Sequence, residues 1–187
     1  IDDDHPTGGV NVHLDKNGEP QFDIISDVAY DYIEFITKYH SNLINAARLM
    51  YFGSLIQRSE AGHKNLQAFI ARNSSESLHF YDINLRPGCY NGDIIKKSLI
   101  KTDILKLNED ELGKLKQMHS KKMNDDEFVH HIMETHEIRL VSLTKGEAGS
   151  ELFTNQGCFS SKPAEAVKVV DSVGAGDAFA AMLAAGL

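Results

Sequence analysis

The residues best suited to chemistry in this 187-residue chain are Gly174-Ala175-Gly176-Asp177. Gly174 and Gly176 allow backbone angles closed to other residues and leave no side chain over a turn. Several N–H groups can then point outward together at a helix N-terminus, where the macrodipole adds partial positive charge. Such a nest suits the phosphoryl oxygens of a nucleotide. Asp177 is the odd member. A carboxylate beside an anion nest is a poor phosphate ligand and a good base for a nucleophile attacking that phosphate. An acid in a first helical turn is also ordinary capping chemistry, and on residue type alone both roles stand.

Three further stretches carry polar groups after apolar runs. In Asp82-Ile83-Asn84-Leu85-Arg86-Pro87-Gly88 an acid, an amide and a guanidinium alternate, and Arg86 can hold phosphate or carboxylate oxygens bidentately. The same residues also suit a salt-bridged loop. Asn108 and Glu111 fall one helical turn apart, where they can order waters around Mg²⁺ or form a capping box. Thr144-Lys145-Gly146-Glu147-Ala148-Gly149 is a G-x-x-G turn, a common loop on its own.

These stretches need a scaffold, and the periodicity supplies one. Alternating residues 10–14 and the apolar run 22–25, joined by a turn at 15–20, predict a β-hairpin over residues 1–27. Apolar spacing predicts helices over 28–36, 59–73, 92–101, 109–118 and 125–136, the last N-capped near Asn124. Strands are expected at 49–54, 78–85, 103–107, 138–143 and 167–170, with an antiparallel excursion over 151–160. Strands alternating with helices across 28–187 mean an α/β fold with a doubly wound, mainly parallel sheet and helices on both faces. In such sheets ligands bind beyond the C-terminal strand ends, where every stretch above falls. The helix after Asp177 is so rich in Ala, Met and Leu that it is expected to be largely buried.

A net charge of −8 speaks against a nucleic-acid groove or an acidic membrane surface as partner. The two cysteines stand in unrelated contexts and the first 25 residues lack a signal-peptide pattern, so a cytoplasmic setting is expected. The chain opens without Met and stops against an apolar helix, and it reads as the middle of a larger protein.

Asp171-Ser172-Val173-Gly174-Ala175-Gly176-Asp177 closely resembles the D-T-x-G-A-G-D signature of the ribokinase-like (PfkB) sugar kinases, with Ser172 for the usual Thr. The D-x-N-x-R, N-x-x-E and T-x-G-x-x-G stretches resemble further motifs of that family, in its order. The resemblance implies an ATP-dependent kinase acting on a sugar hydroxyl, with Asp177 as general base and the Gly174, Ala175 and Gly176 N–H groups stabilising the transferring phosphoryl. It implies Thr144, Gly146, Gly149 and Asn108 on the nucleotide, Asn84 and Arg86 facing substrate and phosphate, and Mg²⁺ held through water by Asn108 and Glu111. A monovalent cation such as K⁺ at Asp171 and a homodimer through the hairpin, which resembles the family's lid over the sugar, are left open. The wording at 82–88 tilts the substrate toward fructose or another sugar or sugar acid. Members also carry segments on both sides of the stretch seen here, holding most sugar and adenine contacts. Two other readings compete: a non-catalytic family member that binds sugar or nucleotide, and a dinucleotide-binding oxidoreductase domain. Retention of Asp177 with the whole turn opposes the first, and a G-x-G lacking its later glycine opposes the second.

Overall fold

The computed structural model describes residues 2–14, 16, 20–34, 43–44, 46–72, 76–120, 122–162 and 173–187. Two strands, β1 (Val10–Leu14) and β2 (Pro20–Ile24), form the expected hairpin. A second sheet takes β3 (Leu49–Gly53), β4 (Leu78–Asp82), β5 (Ile104–Asn108), β6 (Leu140–Thr144), β7 (Ser150–Thr154) and β8 (Gly157–Ser161), in that spatial order. β3 to β6 run parallel, and β7 and β8 fold back antiparallel through a turn at Asn155-Gln156.

The helices are α1 (Glu60–Ile70), α2 (Gly92–Leu99), α3 (Glu109–Met118), α4 (Asp125–His136) and α5 (Ala175–Ala185). Each of the first four starts at a side-chain cap: Ser59, Asn91, Asn108 and Asn124 accept from the N–H of the third helical residue. Their apolar faces pack on one side of the sheet with the row Phe52, Tyr81, Leu105, Val141 and Phe153. Helix α5 lies on the other side, where Ala180, Leu183 and Ala184 meet Phe80, Ile104 and Leu140. The sheet is therefore mainly parallel, with helices on both faces, as the alternation predicts.

Four local expectations change. The helix expected at 28–36 is a short 3₁₀ turn, Ala29–Tyr32, and Ile33 is already non-helical with ψ of 119°. Asp31 explains the turn: its carboxylate accepts from the Val28 N–H and, bidentately, from Arg58 at 2.7 Å twice. β4 ends at Asp82, not Leu85, because Asn84 turns the chain with φ of +39°, a region Asn tolerates better than most residues. β6 starts at Leu140 rather than at 138, since Glu137 ends α4 in a left-handed conformation with φ of 58°. Helix α5 is not largely buried: Ala180 is 2% exposed but Met182 is 74% exposed. It buries the stripe on the sheet, and no described residue covers its outer side. The strand expected at 167–170 lies outside the described residues.

Candidate active site

Parallel strands in adjacent order deliver their C-terminal ends to one edge of the sheet. Gly53 pairs with Asp82, Asp82 with Lys106, and Asn108 with Thr144, so the segments after β3 to β6 start side by side. The first turn of α5 reaches the same edge, because a Cβ built on Gly176 would sit 3.5 Å from Lys106 Nζ. The structure thus brings Asn84, Arg86, Asn108, Glu111, Thr144, Gly146, Gly149 and the turn Gly174–Asp177 to one rim. Asp171, expected for a monovalent cation, lies outside the described residues.

Gly174 opens α5 with φ of +80°, which favours glycine, and the N–H groups that follow receive no side-chain cap from the described residues. Those donors and the Asp177 side chain are exposed. A helix N-terminus with free donors and partial positive charge is an anion site, and here it carries a carboxylate beside it.

Asn108 and Glu111 form a reciprocal capping box. Asn108 Oδ1 accepts from the Glu111 N–H and Glu111 Oε2 from the Asn108 N–H, each at 2.9 Å. Glu111 Oε1 also accepts from the Leu85 N–H at 2.9 Å, tying the 82–88 loop to α3. Each carboxylate oxygen keeps a further lone pair. That donor set fits an ion that keeps its own waters, and among the described residues no group of three or more acids, histidines or cysteines is arranged as direct ligands.

Asn84 is half-buried with its left-handed backbone, and Arg86 is exposed at the loop tip. Thr144 Oγ1 donates to Leu107 O at 3.5 Å. The turn behind it is closed by the Lys145 N–H donating to Gly149 O at 2.8 Å, with Gly146 and Gly149 at φ of 52° and 96°.

Sequence reasoning missed a buried polar group under this rim. Lys106 Nζ donates to Asp82 Oδ2 at 2.7 Å, and the Tyr51 hydroxyl donates to the same oxygen at 2.9 Å. Partial burial of the Tyr51 hydroxyl, then the nearby charges of Asp82 and Asp177, push its pKa above the usual phenol range. Tyr51 therefore stays a donor at neutral pH. A lysine inside the apolar run Ile104-Leu105-Lys106-Leu107 was the available signal. Its partner, 24 residues away in sequence, was not.

Among the described residues no helix is long and apolar enough to cross a membrane. The chain is 28% identical over 196 residues to a fructokinase of Salmonella typhimurium, covering 100% of this chain and 61% of that protein. It is 29% identical over 178 residues to fructokinase-2 of Oryza sativa subsp. japonica, covering 92% and 52%. It superposes on a Pyrococcus horikoshii sugar kinase solved in complex with ATP, with a TM-score of 0.76 at 26% identity, over 99% of this chain and 58% of that one. A fructokinase with bound ATP from Xylella fastidiosa shares the fold, with a TM-score of 0.81 at 20% identity over 96% and 56%. The chain thus spans 52% to 61% of the length of these curated relatives. The family model for pfkB carbohydrate kinases matches residues 1–187 from end to end, and the chain belongs to that family.

Proposed function

We propose that the protein carrying this chain phosphorylates a sugar hydroxyl with ATP. The observation that carries the reading is the uncapped N-terminus of α5, with Asp177 in its first turn, at the sheet edge shared with Asn84, Arg86, Asn108 and Thr144. Asp177 accepts the proton of a primary hydroxyl as that oxygen attacks the γ-phosphorus. The N–H groups of Gly174, Ala175 and Gly176 stabilise charge on the transferring phosphoryl without reorganising. Thr144, Gly146, Gly149 and Asn108 hold the nucleotide, and Asn84 and Arg86 face the sugar and its phosphate. Mg²⁺, when bound, neutralises phosphate charge, and Asn108 and Glu111 are the residues that would hold it through water. Asp171 is the residue this reading gives to a monovalent cation.

Fructose is the first substrate to test, given the wording at 82–88 and the fructokinase names of relatives. The hairpin serves as a lid in the cytoplasmic enzyme. Val10 and Val12 on it are 52% and 55% exposed, an apolar face suited to a second copy of the hairpin. The full-length protein, incubated with ATP, Mg²⁺ and a panel of ketoses, aldoses and sugar acids, is expected to release ADP only when a sugar is present. ADP release that ignores every sugar would overturn the reading.

A further inference from the structure

One row of the sheet is polar where burial favours apolar residues. Gly53, Asp82, Lys106 and Ser142 are successive register partners across β3 to β6. Asp82 is 2% exposed, Lys106 7% and Ser142 0%. Two residues earlier on the same face the row reads Tyr51, Phe80, Ile104 and Leu140, of which the last three form the apolar bed of α5. The polar row underlies the first turn of that helix, where Lys106 Nζ meets Gly176.

A cation is the wrong charge for a helix N-terminus, since the macrodipole is already positive there. Burying an ion pair is also poor stability chemistry, because well-packed apolar residues usually serve as well or better. Of the ammonium's three donors, the described residues occupy one, through Asp82 Oδ2. The Ser142 hydroxyl beside it has no hydrogen-bond partner among the described residues. A buried lysine beside a glycine turn, with a hydroxyl next to it that has no partner among the described residues, makes sense when that turn must hold a concentrated negative charge.

We infer that Lys106, held by the Asp82 carboxylate that Tyr51 also hydrogen-bonds, is a positioning residue that fixes the glycine turn of α5 and adds positive potential beneath the transferring phosphoryl. It acts through the turn, and Ser142 completes the polar floor. The inference rests on the kinase reading for the identity of the anion and on geometry alone for the support of the turn.

Lys106→Met in the full-length protein tests it. Amide exchange at Ala178, whose N–H donates to Gly174 O, and at the bonded N–H groups that follow it in α5 is expected to quicken by about tenfold or more, while α3 and α4 exchange as in the parent. Turnover is expected to fall by about 10–100-fold with the sugar KM little changed, the scale of a misplaced catalytic group. Adding Asp82→Asn removes the stranded carboxylate and is expected to restore the melting temperature but not the turnover. Unchanged exchange with kcat within about threefold of the parent overturns the inference. Turnover that returns with the melting temperature in the double variant makes the pair a structural bridge, and overturns it too. A parent that transfers phosphate to no sugar sinks the kinase reading separately, and the exchange experiment still decides Lys106.

Discussion

On the sheet face under α1 to α4, Phe52, Tyr81, Leu105, Val141 and Phe153 form an unbroken row, each at most 4% exposed. Phe52 and Tyr81 stack with centroids 5.0 Å apart, and Phe128, Ile132 and Leu115 close over the row. On the face under α5, the apolar row Phe80, Ile104, Leu140 gives way one step later to Asp82, Lys106, Ser142. Among the described residues a single helix, α5, packs on that face, through Ala180, Leu183 and Ala184. The first face is built for burial. The second gives up apolar packing near its edge and buries charge beside the N-terminus of α5. The proposed function falls on the weaker face.

The largest expected effect is on stability. Phe128→Ala, at a fully buried position, should destabilise the protein by about 3–5 kcal/mol in urea unfolding while the folded fraction keeps its kcat. A loss of kcat at full folding would join the two faces into one functional unit and break the comparison.

The second buried ion pair, Arg58 with Asp31, stands apart from the sheet and anchors the hairpin. Arg58 also donates to Ile25 O at 2.6 Å and lies 5.0 Å from the Tyr30 ring centre. Asp31→Ala strands the guanidinium and should cost about 3 kcal/mol by the same measurement. Its kcat loss, if any, should be far smaller than that of Lys106→Met, which sharpens the claim that only the pair under α5 serves the turn.

Tyr51→Phe keeps the ring edge-on to Phe80 at 5.3 Å but removes a donor from Asp82. A stability loss of about 1 kcal/mol is expected, seen as a lower unfolding midpoint.

The smallest effect lies on the α4 side. Burial, then the nearby His119 and His131, hold the His136 pKa below the ordinary histidine value. The unfolded chain therefore takes up the proton first as pH falls through about 6.5, so stability should decline below that pH and level off under the folded pKa. His136→Gln should flatten that decline in a pH series of melting temperatures.

Much of this was legible because the fold advertises strand ends. The capping pair Asn108 and Glu111 and the glycines at 146, 149, 174 and 176 are local signals, and each stands where the chain leaves a strand or enters a helix. What stayed hidden is non-local. Lys106 and Asp82, like Arg58 and Asp31, meet across 24 and 27 residues, and a strand covered on both faces reads as an apolar run whatever its neighbours carry. The left-handed Asn84 shortened β4 in a way no propensity announces. Composition predicts a buried α5, yet composition says only what a helix can bury, and the sheet covers just one stripe of it.

The most direct measurement is the turnover of Asp177→Asn in the full-length protein, set beside its affinity for ATP by calorimetry. The amide keeps the shape of the side chain and cannot take a proton, so turnover should fall by about 10²–10⁴-fold with ATP affinity nearly unchanged. Turnover within about threefold of the parent would reduce Asp177 to a helix-capping acid and contradict the account.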